Sequence, residues 1–307
     1  MIQFRGVPGR TDLEGVDILF TDNLKADAWL APSLRWVQLF TAGVDDVPPP
    51  PETSNVVASS TAGVLASPIA EHVFALLLSL IRRLPQAIRA QDERQWLSRQ
   101  DGTYAATELE GKTLGILGLG GIGSHVAARG HTFGMTVIGV RRTAEQVGEQ
   151  IVEVKFAAAI VHRVPVMVYP PRQLNQLAAR SDVIVVALPL TRETHSFLGS
   201  AQFAVMQRGT LLINVSRGEA IDTDALVRAL EDGRLAGAGL DVFDREPLAA
   251  SSPLWAMHNV IITPHVAGVT DRIASRVLEF FMANLSRYLA NQPLWNVVEP
   301  WSWYGRR

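Results

Sequence analysis

The sequence predicts an α/β fold with a doubly wound parallel sheet, and three observations support this prediction. Short apolar runs rich in β-branched residues alternate with helical patterns along the 307 residues. These runs are nearly continuous, which is typical of strands that helices cover on both faces. A glycine-rich turn also joins one such run directly to a helical segment.

The elements follow from these patterns in chain order. Apolar runs predict strands at residues 16–21, 36–41, 113–120, 136–140, 182–189, 210–216, 236–242 and 259–265. Helices are predicted at 67–84 and 222–232, the first beginning with Ser67-Pro68, a capping serine before a first-turn proline. The proline-rich stretches 48–51 and 163–171 predict extended or irregular loops. Trp301, Trp303 and Tyr304 are expected to cover an apolar surface.

Composition excludes several classes of function. The 28 basic and 30 acidic residues give a net charge of −2, so no broad nucleic-acid or membrane-binding surface is expected. The absence of cysteine excludes disulfides, thiolate metal ligands and a cysteine nucleophile. The most apolar stretch, 73–81, is shorter than a membrane span, and the N-terminus has no apolar core of signal-peptide length. We therefore expect a soluble, cytoplasmic protein with neither nucleic-acid nor membrane partners, although the lack of cysteine would suit an exported protein too.

A dinucleotide-binding loop is predicted at residues 118–123, which read Gly-Leu-Gly-Gly-Ile-Gly. The G-x-G-x-x-G pattern alone is a weak signal, but here it follows a predicted strand, opens a helix at 124–133 and precedes a second strand. In this context Gly118 makes the tight turn, Gly120 lets the backbone approach a pyrophosphate, and Gly123 allows the helix to pack closely. Amides of the loop, which also contains Gly121 and Ile122, face the anion. A plain glycine-rich turn is the alternative.

Two arginines predict a preference for NADP(H) over NAD(H), with NAD(H) still possible. An enzyme that uses NAD carries an acidic residue near the end of the second strand, where it binds the ribose 2′-hydroxyl. This sequence has Arg141 and Arg142 there. Guanidinium groups can hold a 2′-phosphate with paired hydrogen bonds, whereas a carboxylate would repel it. The alternative is that both are solvated surface arginines.

Three further groups lie at or just beyond predicted strands of the second half: Arg217, Glu246 and His265. If those strands are neighbours, the side chains meet at the carboxyl edge of the sheet, where such folds bind ligands. Reduction of a 2-keto acid needs a cation for the carboxylate and carbonyl, which suits Arg217. It also needs a proton donor, which suits His265, and a carboxylate that orients the histidine, which suits Glu246. The other histidines have no ligand-like partners in the sequence, so no metal site is expected.

Together these motifs resemble the D-isomer-specific 2-hydroxyacid dehydrogenase family. The resemblance spans nearly the whole chain, through the segments 34–45, 67–84, 108–123, 187–194, INVSRGEAID, GAGLDVFDREPL and ITPHVAG. It implies that Arg217 binds the substrate, that His265 is the acid/base and that Glu246 is its partner. Asp241 would contact the nicotinamide carboxamide, with Leu188, Pro189, Thr194 and Val215 also at the cofactor. The backbone amides of Ala42, Gly43 and Val44 would bind the substrate carboxylate.

The resemblance also implies a domain organisation. A Rossmann domain at 87–271 would be inserted into a smaller flavodoxin-like substrate domain made of 1–86 and 272–307, and the protein is expected to be a homodimer. Two departures stand out. The substrate domain is expected to lack the family's usual first strand and helix, and the stretch from 144 to 180 is longer than the usual connection. The resemblance places this stretch beside the adenosine site, where it could contact either the 2′-phosphate or a second subunit.

These observations favour an NADP(H)-dependent reductase of small 2-keto acids, with glyoxylate and hydroxypyruvate as first candidates. Two alternatives remain open. One is a dehydrogenase of another small anion, formate or phosphite, on the same scaffold. The other is a nucleotide-sensing interaction protein that keeps the fold without turnover.

Overall fold

The computed structural model describes residues 6–98, 104–156 and 159–298. The chain divides into two compact units. The first unit comprises Met1–Leu65, Pro189–Glu193 and Thr270–Arg307, and the second comprises Ala66–Leu188 and Thr194–Val269.

The strands are β1 (Ile18–Thr21), β2 (Trp36–Leu39), β3 (Val57–Ser59), β4 (Thr113–Leu117), β5 (Thr136–Val140), β6 (Gly148–Phe156), β7 (Ala159–Tyr169), β8 (Val183–Val186), β9 (Thr210–Asn214), β10 (Leu235–Leu240) and β11 (Val260–Ile262). The α-helices are α1 (Ala66–Ile81), α2 (Leu84–Asp92), α3 (Gly121–Thr132), α4 (Leu174–Arg180), α5 (Ser200–Val205), α6 (Thr223–Glu231) and α7 (Ile273–Leu289). Short 3₁₀ turns connect several of these elements.

The second unit is built on an eight-stranded sheet in the order β11-β10-β9-β8-β4-β5-β7-β6. Its strands are parallel except for β6, which pairs antiparallel with β7. The strand order reverses at β4, which has β5 on one side and β8 on the other. This reversal marks the crevice where doubly wound folds bind their ligands, and it confirms the predicted fold class.

The first unit contains a three-stranded parallel sheet, β1-β2-β3, with α7 packed against it. A buried polar network joins these elements. Asn284 of α7 donates to Gln38 Oε1 on β2 at 3.0 Å, and Ser59 Oγ of β3 donates to the same oxygen at 2.8 Å. Because a buried polar group is costly unless it is hydrogen-bonded, this network specifies how α7 sits on the sheet.

Each predicted strand and the three predicted helices are confirmed, with ends that differ by a few residues at most. The prediction of an irregular loop over 163–171 is wrong, because residues up to Tyr169 belong to β7. Proline normally argues against a strand because it cannot donate a backbone hydrogen bond. Pro165 is tolerated because β7 pairs with β5 at Met167–Tyr169, beyond the proline, so that at Pro165 its partner is β6. The predicted strands do not include β3, β6 or β7.

The contacts group α1 with the second unit, whereas the predicted boundary placed residues 67–86 in the substrate domain. Helix α1 packs against α3 and against β9 and β10, so its apolar length covers the large sheet. The predicted domains, 1–86 with 272–307 and 87–271, remain a prediction about functional division. The C-terminal aromatic residues Trp301, Trp303 and Tyr304 lie outside the described residues.

Candidate active site

The predicted phosphate loop lies between β4 and α3, and its glycines have distinct structural roles. Gly118 has a φ of +99°, and a Cβ there would lie 2.6 Å from the Ala187 carbonyl oxygen. A Cβ on Gly123 would lie 1.9 Å from the Gly118 carbonyl oxygen, so only glycine allows this close packing. A Cβ on Gly120, by contrast, would meet nothing within 4 Å. The loop is therefore tight on its inner side and open over Gly120, where Gly121 begins α3, as a pyrophosphate group requires.

Arg141 and Arg142 follow β5 directly, at the edge of the sheet that carries the phosphate loop. Arg141 is half-buried, and its guanidinium donates from Nη1 to Gln150 Oε1 at 3.0 Å and from Nη2 to the Leu119 carbonyl at 3.4 Å. Arg142 is exposed. Gln150 belongs to β6 of the unpredicted hairpin, so no local sequence signal marked it as a neighbour of this site.

The other predicted cofactor residues lie within three residues of a strand end, except Thr194. Val215 and Asp241 follow β9 and β10 immediately, and Leu188 comes two residues after β8. Thr194 belongs to the second unit, whereas Pro189 groups with the first. Their contacts with a cofactor remain predictions.

Arg217, Asp241 and His265 follow three neighbouring strands, β9, β10 and β11, whose parallel pairing places their carboxyl ends at one edge of the sheet. The condition that the sequence left open, that these strands are adjacent, is therefore met.

His265 and Glu246 form a close pair. His265 Nδ1 lies 2.7 Å from Glu246 Oε2, and Glu246 Oε1 accepts a hydrogen bond from the Phe243 amide at 3.0 Å. An ionised carboxylate can only accept hydrogen bonds, so the proton of this contact resides on Nδ1 and the ring presents Nε2 at its other side. The side chains of His265 and Glu246 are 47% and 36% exposed, so a small molecule can reach the ring.

The Arg217 loop is held by a buried asparagine and a required glycine. Asn214 donates to the Arg217 carbonyl at 3.1 Å, and its Oδ1 accepts from the amide and hydroxyl of Ser216. A Cβ on Gly218 would lie 1.8 Å from the Phe243 carbonyl carbon, so the backbones of these two loops touch. Glycine at 218 therefore brings the Arg217 loop against the loop that leads to Glu246.

Asp241 anchors the backbone around His265. Its carboxylate is 1% exposed and accepts hydrogen bonds from Thr263 Oγ1 at 2.6 Å and from the amides of Val266 and Ala267 at 2.9 Å each. His265 has a φ of +54°, a conformation that costs energy for a residue with a side chain. The hydrogen bonds of Asp241 on both sides of His265 stabilise this turn, so Asp241 has a structural role besides the predicted carboxamide contact.

His72 joins this network from α1. Its Nε2 lies 3.0 Å from Thr263 Oγ1 and 3.6 Å from Asp241 Oδ1. No local pattern in the sequence indicates this partner of His72, because Thr263 is 191 residues away in the chain. Within residues 6–98, 104–156 and 159–298, no group of three or more histidine, aspartate or glutamate side chains is arranged to hold a metal ion. None of the described helices is long and apolar enough to cross a membrane.

Ala42, Gly43 and Val44 belong to the first unit, where they form an ordered turn after β2. Thr41 Oγ1 donates to the Gly43 carbonyl at 2.8 Å, and the Val47 amide donates to the Val44 carbonyl at 3.2 Å. The predicted binding of a carboxylate by their amides remains a prediction.

The chain is similar to known 2-hydroxyacid dehydrogenases and glyoxylate reductases. Residues 74–267 match the model of the NAD binding domain of D-isomer specific 2-hydroxyacid dehydrogenases. A glyoxylate reductase from Korarchaeum cryptofilum is 34% identical over 277 residues, which cover 89% of this chain and 79% of the relative. A glyoxylate/hydroxypyruvate reductase B from Pectobacterium carotovorum is 34% identical and covers 88% of this chain and 80% of its own length.

A solved structure shows the same fold. It is an NADPH-dependent glyoxylate/hydroxypyruvate reductase from Sinorhizobium meliloti in complex with NADP and sulfate. The TM-score is 0.77 at 28% identity, and the alignment covers 94% of this chain and 86% of the other.

Replacing Asp241 by Asn should loosen the turn that carries His265. An amide group has one accepting oxygen where the carboxylate has two, so at least one of the Thr263, Val266 or Ala267 donors loses its acceptor. An unsatisfied buried donor costs about 1–3 kcal/mol, and amide hydrogen exchange at Val266 and Ala267 should therefore accelerate about 5- to 150-fold. Asp244→Asn, at an exposed position nearby, is the matched control. Unchanged exchange in Asp241→Asn would show that the carboxylate does not anchor the turn.

Proposed function

Because this chain belongs to the D-isomer specific 2-hydroxyacid dehydrogenase family, we propose that it reduces small 2-keto acids to D-2-hydroxy acids with NADPH. Glyoxylate and hydroxypyruvate are the first candidates, since relatives that cover most of the chain are named for these substrates. The family establishes the class of oxidoreductase, and the choice of substrate and of cofactor is the proposal. The observation that carries it is the 2.7 Å contact between His265 and Glu246 at the edge where β9, β10 and β11 end.

Reduction of a keto group adds a hydride to carbon and a proton to oxygen. The nicotinamide cofactor, when bound, supplies the hydride. His265 donates the proton from Nε2, the ring nitrogen that Glu246 does not contact. Glu246 fixes the orientation of the ring through its contact with Nδ1, and in the reverse direction the same ring accepts the proton.

Arg217 holds and polarises the substrate. Its planar guanidinium can bind a carboxylate oxygen and the neighbouring keto oxygen together, which places the keto carbon in a defined orientation. Positive charge beside the keto oxygen also stabilises the negative charge that develops there during hydride transfer. We further propose, on the resemblance, that the amides of Ala42, Gly43 and Val44 contribute to carboxylate binding.

The cofactor proposal depends on the sheet edge after β5. The open face over Gly120 suits a pyrophosphate, and Arg141 and Arg142 occupy the place where enzymes that use NAD have an acidic residue. A solved relative that binds NADP supports the same preference. The family resemblance also supports a cytoplasmic location and a homodimer, and the mass of the purified protein in solution would test the homodimer. Exposed apolar side chains at Leu84, Ile88 and Trp96 support self-association.

His265→Gln should lower kcat by about 100- to 10,000-fold, because glutamine keeps a hydrogen-bonding side chain but cannot donate a proton as an acid. The Kd of NADPH, measured by fluorescence titration, should change less than about threefold, because the variant removes the proton donor and leaves the phosphate loop intact. Normal turnover in His265→Gln would contradict the assignment of the acid.

Arg217→Ala should damage both binding and rate, since the guanidinium acts on the bound substrate and on the developing charge. We expect kcat/KM for the keto acid to fall about 1,000-fold or more, with a higher KM and a lower kcat. Arg217→Lys keeps the charge but loses the planar pair of donors and should recover only part of the activity. An unchanged kcat/KM in Arg217→Ala would remove this residue from the site.

Initial rates with NADPH and with NADH test the proposed function directly. The substrates are glyoxylate, hydroxypyruvate, pyruvate and a phenyl-substituted keto acid, and we expect a preference for NADPH of about tenfold or more with one of the small acids. Arg142→Ala should reduce that preference. Equal use of NADH would show that neither arginine selects the cofactor. A lack of turnover with either cofactor would favour the formate or phosphite alternative or the nucleotide-sensing one.

A further inference from the structure

We propose that the β6–β7 hairpin is a cofactor-specificity element, in which Gln150 positions Arg141 beside the phosphate loop to bind the 2′-phosphate of NADP(H). This inference rests on the proposed NADPH preference and assigns part of it to a segment outside the dinucleotide-binding motif. Gln150 acts through Arg141, so it is a positioning residue.

The hairpin is a firm support for a side chain. Strand β7 extends the parallel sheet by pairing with β5 at Met167–Tyr169, and β6 pairs with β7 along its whole length. Along one face of the hairpin, Val152, Val154, Val166 and Val168 are each 1% exposed or less. His125 of α3 also contacts the Lys155 carbonyl, with Nε2 at 3.0 Å. Gln150 lies opposite Val166 in this register and shares the buried face with Val152.

Arg141 is held at three points. Its amide donates to the Tyr169 carbonyl of β7 at 3.1 Å, which sets the backbone against the hairpin. Its guanidinium bridges Gln150 Oε1 and the Leu119 carbonyl of the phosphate loop. Leu119 in turn packs over β5 at Gly139, where a Cβ would lie 2.7 Å from its Cδ1. The guanidinium therefore lies where the phosphate loop, the end of β5 and the hairpin meet.

Donor capacity remains for a phosphate. A guanidinium carries five N–H donors, and the contacts with Gln150 and Leu119 use two of them. The other N–H groups can form charge-assisted hydrogen bonds to a phosphate, which are about twice as strong as neutral ones. A side chain that is already oriented also loses less conformational entropy on binding.

The neutral amide at position 150 matters for the charge of the site. Gln150 accepts a hydrogen bond from Arg141 without neutralising it, so a 2′-phosphate meets the full positive charge. A glutamate at this position would make the same contact as an ion pair and would repel the phosphate. A glutamate at position 150 should therefore shift the preference from NADPH toward NADH. A purely structural role of residue 150 would produce no such shift.

The test compares Gln150→Ala and Gln150→Glu with wild type and with Glu149→Gln. Glu149 is an exposed neighbour on the other face of β6, so its variant is a matched control for changes on this strand. For each protein, kcat/KM is measured with NADPH and NADH against the best keto acid. The Kd values of NADPH, NADH and adenosine 2′,5′-bisphosphate are measured by titration, and the melting temperature reports on folding.

We expect Gln150→Ala to lower the NADPH-to-NADH ratio of kcat/KM by about three- to tenfold, chiefly through the KM for NADPH. Gln150→Glu, which is nearly the same shape, should lower the ratio further and weaken adenosine 2′,5′-bisphosphate binding by more than about tenfold. Glu149→Gln should leave the ratio unchanged.

Three outcomes separate this inference from the proposed function. A wild-type protein without NADPH preference overturns both. If wild type prefers NADPH and Arg142→Ala loses that preference, but both Gln150 variants keep it, only the role of the hairpin is overturned. If a folded Gln150→Glu loses activity equally with both cofactors, Gln150 has a general structural role and the inference is again overturned.

Discussion

The parallel pairing of β9, β10 and β11 is the constraint on which the candidate site depends. Parallel strands end at a common edge, so residues that follow these three strands come together although the chain separates them by many positions. Arg217, Asp241 and His265 each occupy the first few residues after a strand. The apolar strands that form the buried sheet therefore also bring these side chains to one of its edges.

Within that edge, the work of holding His265 is divided between two carboxylates. Asp241 is buried and binds the backbone of the turn, which keeps a conformation with positive φ that a non-glycine residue rarely adopts. Glu246 is partly exposed and binds the ring. Asp241 thus fixes the backbone position of His265, and Glu246 fixes the orientation of its imidazole ring. His72 and Thr263 link the first of these to α1, which makes the covering helix part of the same network.

The other end of the sheet shows how an edge hairpin adds a contact beyond the dinucleotide-binding motif. The β6–β7 hairpin extends the sheet beyond β5, at an edge where extra strands do not break existing pairs. Charged, exposed side chains at Glu149, Glu153 and Lys155 lie on the edge strand β6, and charge on an edge strand discourages pairing with other chains. At the same time the hairpin brings Gln150 to Arg141, at the strand end where dinucleotide-binding folds meet the adenosine ribose.

The sequence by itself determined the fold class, the phosphate loop and the candidate groups Arg217, Glu246 and His265, because each of these has a local signal. Strand periodicity, the spacing of glycines and a charge placed after a buried strand are all visible within a few residues. Only the tertiary structure decided the partners. The contact of His72 with Thr263 joins residues 191 positions apart, and Gln150 reaches Arg141 through a hairpin in which Pro165 argues locally against a strand. Hydrogen-bond partners across a sheet depend on register and strand order, which are global properties of the chain and leave no mark in a short window of sequence.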